Sequence, residues 1–255
     1  MFHSRHCQAR KILHALAAAT ALAGAGAAGA ASLEVIGTAT YKSGTQNLGT
    51  YNLVYDPGSS LVWLDYTRSA STETAIASWA SSLNGAGVLT YNLAPAYSNV
   101  SLNGTWRLPT SVVGTSYGYN GTTALGYNIA SSELGHLYYT ELGDIARYDA
   151  NGVQNASWGY NPNSFFGTAP QNFKQGIYWS GTDDTPLDSG NKKYFFEFST
   201  FDGAQQAGPS TTNSILGVAV QTVSLTSAVP EPTPQVLMLA GLVAVGFIAR
   251  RRRDF

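Results

Sequence analysis

The sequence YNLVYDPGSSLVWLDY, residues 51–66, holds two runs rich in β-branched and aromatic residues with a turn between them. The runs are 51–55 and 61–66, and residues 56–59 read Asp-Pro-Gly-Ser. Proline fixes one backbone dihedral angle and glycine accepts a positive φ, as a tight turn requires. The pattern therefore predicts a β-hairpin, so the domain is built at least partly from antiparallel strands.

Outward from this hairpin, the sequence predicts two helices. Residues 72–83 place apolar side chains at helical spacing, with Ser71 or Thr72 as the cap. Residues 131–142 show the same spacing, with Ser132 as the cap. The two predicted apolar stripes are Ile76, Trp79, Ala80 and Leu83 in the first helix, and Leu134, Leu137, Tyr138 and Leu142 in the second.

Strands are predicted before and after these helices, and loops lie between the elements. A first strand is expected at 33–41, and polar stretches at 84–104 and 144–176 are expected to be loops. The order of strands, two helices and strands predicts an α+β fold rather than alternating βαβ units. Three closing antiparallel strands are expected at 177–180, 193–201 and 215–223.

The N-terminus has the pattern of a secretory signal. A basic stretch at 5–11 precedes an alanine-rich apolar run at 12–31, and small residues at 28–30 are suited to cleavage. This order is what the export machinery reads, so residues 1–31 are predicted to be a signal peptide processed by signal peptidase. The alternative is a buried Ala/Gly helix.

The C-terminus combines prolines, an apolar run and arginines. Residues 236–249 are apolar and four arginines follow directly. As a helix this run reaches about 21 Å, against a hydrocarbon core of about 30 Å, and long arginine side chains can extend its reach. We expect a short transmembrane helix with its arginines in the cytoplasm, which places the preceding residues outside. The alternative is a soluble C-terminal helix.

Residues 229–255 resemble a PEP-CTERM sorting signal. The resemblance is carried by the motif Pro230, Glu231, Pro232, by the apolar helix, and by the cytoplasmic retention cluster Arg250, Arg251, Arg252 and Arg253. It implies recognition by an exosortase, an inner-membrane intermediate, and delivery to the cell surface or extracellular matrix. Bacteria with this system usually make exopolysaccharide.

Residues 32–228, the passenger domain, have a composition that limits their partners. They contain thirteen acidic and seven basic residues, and no cysteine that could form a disulfide. A net negative surface repels nucleic acid, so nucleic-acid binding is not expected. All five Trp and all fifteen Tyr lie in this domain, so its stability must come from packing.

Residues 53–56, 106–110 and 178–182 read Leu-Val-Tyr-Asp, Trp-Arg-Leu-Pro-Thr and Tyr-Trp-Ser-Gly-Thr, in this order. Through these segments, residues 50–223 resemble the DUF1566 family, the C-terminal domain of a Legionella collagen-like protein. The resemblance implies a single C-type-lectin-like α+β domain and adhesion to sulfated glycosaminoglycans. Binding of a sulfated polymer needs clustered basic residues, and in residues 32–228 only Lys192 and Lys193 are adjacent. We therefore expect a neutral or weakly charged glycan as the ligand. The motif residues expected to be structural are Trp63, Trp106, Arg107, Leu108, Pro109 and Trp179.

Catalytic groups are hard to assemble from the passenger sequence. His136 is its one histidine, and Glu133 and Glu141 would lie about 12 Å apart along a helix, too far for a glycosidase pair. No zinc set of the His/Cys type is present. A loop with Asp183, Asp184 and Asp188 is a weak calcium candidate, against a solvated acidic loop as the alternative.

The expected function is that of an exported, non-enzymatic surface or matrix protein in adhesion or exopolysaccharide association, with no resident cofactor. The alternative is a secreted carbohydrate-active enzyme that uses carboxylates brought together by the fold.

Overall fold

A computed structural model describes residues 33–70, 72–159, 172–188, 190–210 and 215–225. The predicted signal peptide, the sorting motif, the membrane helix and the arginine cluster all lie outside these residues. Within the described part of the chain, no helix is both long enough and apolar enough to cross a membrane.

The predicted hairpin is present and is the start of a larger sheet. Tyr55 pairs with Val62 and Asp56 with Leu61, and Asp56 accepts hydrogen bonds from both the backbone N–H and the hydroxyl of Ser59 across the turn. The helices are α1, Glu73–Ser82, and α2, Glu133–His136, which continues as a π-turn, Leu137–Glu141. The strands are β1 Glu34–Ser43, β2 Gln46–Asp56, β3 Leu61–Ala70, β4 Leu89–Leu93, β5 Val100–Ser101, β6 Tyr117–Gly118, β7 Leu125–Gly126, β8 Ile177–Asp183, β9 Tyr194–Ser199, β10 Gln205–Pro209, β11 Ile215–Thr222 and β12 Ser224–Leu225.

Ten strands form one mixed sheet in the order β4-β1-β2-β3-β11-β8-β9-β10-β7-β6, while β5 and β12 pair separately. Strand β11 lies between β3, to which it is antiparallel, and β8, to which it is parallel. This insertion joins the N-terminal meander to the C-terminal strands, so the last long strand closes the centre of the sheet.

Both faces of the central strands are buried. Along β3, Val62 and Leu64 pack into one apolar cluster with α1, whereas Leu61 and Trp63 pack into a second cluster with α2. Successive side chains of a strand point to opposite faces, so a strand covered on both sides needs apolar residues at every position. This explains the unbroken Leu-Val-Trp-Leu run in the sequence.

The predicted α+β, C-type-lectin-like fold is wrong. The described chain is dominated by a ten-stranded mixed sheet, and its two helices are short. The predicted loop at 84–104 contains the edge strand β4, whose polar, exposed residues Thr90 and Asn92 pair with Thr40 and Thr38 of β1. The closing strands are not all antiparallel, since β11 and β8 run parallel, and β10 was not predicted.

The first helix forms where the sequence predicts it. Thr72 is the N-cap and accepts a hydrogen bond from the backbone N–H of Ala75, and Ile76, Trp79 and Ala80 are buried against the sheet. The second begins as predicted, with Ser132 accepting from the N–H of Gly135, but it leaves the α-helical path after His136.

Candidate functional site

The Trp-Arg-Leu-Pro-Thr segment joins the sheet to α2. Arg107 exchanges backbone hydrogen bonds with Val220 of β11, at 2.9 and 3.0 Å. Its guanidinium donates two hydrogen bonds of 2.7 Å to the two carboxylate oxygens of Glu133, and the N–H of Thr110 donates a third of 2.7 Å. This bidentate pair anchors the first turn of α2 on the segment.

We expect Glu133→Gln to cost about 2 kcal/mol of unfolding free energy, because a carboxylate that receives three charge-assisted hydrogen bonds becomes a neutral amide. Urea denaturation measures this cost. The matched control is Lys193→Met, which removes the exposed pair between Lys193 and Asp183 and should leave stability close to that of the wild-type protein. Equal effects of the two changes would contradict the structural role of the Arg107–Glu133 pair.

The predicted motif tryptophans do not present ring faces to a ligand. Trp63, Trp106 and Trp179 are all at most 2% exposed, and Leu108 is buried beside them. Pro109 accepts hydrogen bonds at its carbonyl from the Ser180 hydroxyl and the Gly181 N–H. A glycan could therefore not stack on these indoles in the folded protein.

A cleft of about 300 Å³ opens beside this segment, between Glu73 of α1 and residues 105–108. Burial, followed by the nearby Asp183 carboxylate, raises the pKa of Glu73. Among the described lining residues, Glu73 supplies the one carboxyl group and Arg107 the one cation.

The acidic calcium candidates lie near one another in the described chain, but not at the spacing of metal ligands. Asp183 pairs with Lys193 at 3.0 Å, and Asp188 accepts a hydrogen bond of 2.9 Å from the backbone N–H of Tyr194. Asp184 is buried, and burial raises its pKa. Within the described chain, these three carboxylates do not form a group whose oxygens all lie within 4.8 Å of one another.

Aromatic side chains instead gather at the far end of the sheet, a surface we call the aromatic edge. Tyr119 stacks on Tyr127 with ring centroids 5.9 Å apart and planes only 6° from parallel. Tyr117 and Tyr148 each meet Tyr119 edge-on at 5.6 Å. The aromatic edge consists of Tyr117, Tyr119, Tyr127, Tyr148 and Trp158.

The pairing of two very short strands explains this stack. In parallel register, Gly118 of β6 lies beside Gly126 of β7, so Tyr119 and Tyr127, one residue further on, become neighbours. Gly126 has φ of +113°, and a side chain there would overlap the Gly118 carbonyl. The two backbones can approach this closely because position 126 is glycine.

Arg147 holds the outer part of the aromatic edge in place. Its guanidinium lies 5.5 Å from the ring centre of Tyr148 and 5.2 Å from that of Trp158, within cation–π range. Tyr117 is 58% exposed and Trp158 40% exposed, whereas Tyr127 is buried beneath them. Large aromatic rings held at the surface by their neighbours are typical of a recognition surface.

Two hydroxyls of this surface, those of Tyr117 and Tyr127, stay neutral. Burial, followed by the nearby Asp202 carboxylate, raises the pKa of Tyr127, and burial is also the main cause of the raised pKa of Tyr117. These two phenols therefore keep their protons at physiological pH, and the exposed one, Tyr117, can both donate a hydrogen bond to a ligand hydroxyl and accept one from it.

A sequence signal for the aromatic edge does exist. The triplet Gly-Tyr-Asn occurs at 118–120, at 126–128 and at 159–161. The first two copies are eight residues apart, and each begins at the last residue of a short strand, at Gly118 of β6 and at Gly126 of β7. The copies are too short to count as a structural repeat, and nothing in the sequence shows that they pair in parallel.

Comparisons with known proteins bear on the C-terminus, beyond the described residues. Residues 228–253 match the PEP-CTERM protein-sorting motif. The motif indicates an exported exosortase substrate that is processed at its C-terminus and passes through a membrane stage before it reaches the cell surface or the outside. No curated protein and no solved structure matches the chain.

Proposed function

We propose that this exported protein associates with a neutral or weakly charged glycan outside the cell, in adhesion or in an exopolysaccharide matrix. The exposed rings of the aromatic edge carry the proposal. Tyr117 and Trp158 offer apolar faces of the size of a sugar ring, and the neighbouring phenols offer hydrogen bonds.

Charge supports an uncharged ligand. Residues 32–228 carry thirteen acidic and seven basic residues. At the aromatic edge, the guanidinium of Arg147 already lies against two rings. A sulfated polymer would need several free cations at one place. The resemblance to the DUF1566 family remains a prediction and agrees with glycan association in general terms.

The alternative function is that of a secreted carbohydrate-active enzyme. Such an enzyme needs two carboxyl groups about 5–9.5 Å apart across a cleft. The cleft beside α1 has Glu73 as its one carboxyl group among the described lining residues. We therefore favour binding over catalysis.

Cosedimentation tests the proposal. The protein released by producing cells is mixed with their purified extracellular polysaccharide at about 0.01 M and about 1 M salt. Ring stacking is insensitive to screening, so the bound fraction should be similar at both concentrations. Absence of binding, or binding lost at high salt, would contradict the proposal. Reducing sugars released from the polymer would favour the enzyme.

A further inference from the structure

Three ionisable side chains from two distant parts of the sequence meet behind the hairpin turn. His136 Nε2, at the end of α2, lies 3.7 Å from Asp56 Oδ2, at the end of β2, and 3.2 Å from Glu141 Oε1, at the end of the π-turn. One atom from each residue lies within 4.8 Å of the other two. We call this group the Asp–His–Glu cluster.

Two side chains of the cluster are buried, the third is partly buried, and two of its polar atoms lack hydrogen-bond partners. The side chains of Asp56 and Glu141 are 0% and 1% exposed. His136 Nε2 and Glu141 Oε2 have no hydrogen-bond partner among the described residues, so the short contacts to Nε2 lack hydrogen-bond geometry. Burying two carboxylates around an imidazole nitrogen without a hydrogen bond destabilises the fold unless another group or an ion binds to these atoms.

The π-turn is what aligns two of these groups. The N–H of Leu142 donates to the Leu137 carbonyl at 2.9 Å, which is the i to i+5 bond of a π-turn. In an α-helix, His136 and Glu141 would point about 140° apart. Such turns are uncommon and occur frequently at functional sites.

The hairpin supplies the third side chain of the cluster and leaves open space beside it. Asp56 is oriented by the N–H of Ser59 at 3.1 Å and by its hydroxyl at 2.5 Å, an outer shell of the kind that fixes metal ligands. A Cβ on Gly58 would lie 2.9 Å from Glu141 Oε1 and 3.1 Å from His136 Nε2. The missing side chain therefore leaves room over the cluster.

We propose that Asp56, His136 and Glu141 bind a divalent transition-metal ion, of which zinc is the best match. Ligand atoms about 2.0–2.1 Å from a tetrahedral zinc ion are about 3.4 Å apart, and the observed separations of 3.2 and 3.7 Å bracket this value. The imidazole nitrogen disfavours calcium and magnesium, which prefer oxygen ligands. The ion would tie the hairpin turn to α2.

The competing explanation is a protonated His136 between two carboxylates, with no metal. Adding zinc distinguishes the zinc site from this metal-free explanation. The released protein is stripped with a chelator, and its melting temperature is measured with zinc, calcium or magnesium chloride. Zinc at about a hundredfold excess over its Kd should raise the melting temperature by about 5 °C or more, with one ion bound per chain, and calcium and magnesium should not.

Variants localise the ion. His136→Ala and Glu141→Gln should abolish the zinc-dependent shift, whereas Asp183→Asn, which changes a carboxylate outside the cluster, should keep it. Should the cluster variants fail to fold, cobalt added to the wild-type protein should give the visible absorption of a tetrahedral site, which zinc removes. No zinc shift and no cobalt spectrum in the wild-type protein, a full shift in folded His136→Ala, or a calcium shift instead would overturn the proposal.

Discussion

Tyr117→Ala combined with Trp158→Ala should weaken binding to the extracellular polysaccharide by at least about thirtyfold. Truncating a central Tyr or Trp of an interface typically costs more than about 1 kcal/mol, and about 1.4 kcal/mol corresponds to a tenfold change in affinity. Neither side chain belongs to the two buried core clusters, so their loss should leave the fold intact. Titration calorimetry with a defined polymer fraction measures the change.

Two matched variants separate ring stacking from general surface effects. Tyr117→Phe with Trp158→Phe keeps two aromatic faces and should retain most of the affinity. Val112→Ala with Val113→Ala removes apolar side chains of similar exposure that do not belong to the aromatic edge, and it should change nothing. If the valine variant weakens binding as much as the alanine variant does, the aromatic edge is not the binding surface.

Glu197→Gln should stabilise the protein by up to roughly 3 kcal/mol at pH 8. Glu197 is buried in β9, in register with Trp179 on one side and Gln206 on the other. Burial raises the pKa of its carboxyl group to about 7, and the amide of Gln206 only partly offsets this at 3.3 Å. Its second oxygen has no hydrogen-bond partner among the described residues.

The direction in which Glu197 changes stability with pH follows from its raised pKa. In the unfolded chain Glu197 ionises near pH 4.5, whereas in the folded protein it stays protonated until about pH 7. Its contribution to stability is therefore full below pH 4.5, falls between pH 4.5 and 7, and is lost above pH 7. Other buried acids with raised pKa values, Glu73 and Asp184 among them, add to the same trend in the wild-type protein.

The difference in unfolding free energy between the wild-type protein and Glu197→Gln isolates the contribution of the Glu197 carboxyl group. Urea unfolding of wild type and Glu197→Gln from pH 4 to pH 8 should give curves that meet at low pH and diverge as the pH rises. Curves that run parallel across this range would show that the carboxyl group of Glu197 ionises without penalty in the folded state.

Elements that depend on local chemistry could be read from the sequence. The Asp-Pro-Gly-Ser turn between two β-rich runs sets the β2–β3 hairpin, and the cap at Thr72 sets the start of α1. Sheet topology could not be read this way. That β11 inserts between β3 and β8 depends on contacts between residues more than a hundred positions apart in the chain, such as Leu216 with Ser69.

The aromatic edge and the Asp–His–Glu cluster show the same limit at the level of single residues. The sequence shows that residues 117–127 are rich in tyrosine. Only the parallel pairing of Gly118 with Gly126 stacks Tyr119 on Tyr127. The sequence predicts a regular helix over 131–142, which would keep His136 and Glu141 apart. One π-turn changes their relative direction and creates the cluster.

Hydroxyl-radical footprinting of the released protein, with and without its polysaccharide, tests glycan association at the aromatic edge most directly. Oxidation of Tyr117 and Trp158 should fall several-fold when the polymer is bound, while the buried Trp63 and Trp179 should react slowly in both states. Bound polymer that leaves Tyr117 and Trp158 as reactive as before, or that protects the cleft around Glu73 instead, would contradict the proposed glycan-binding surface.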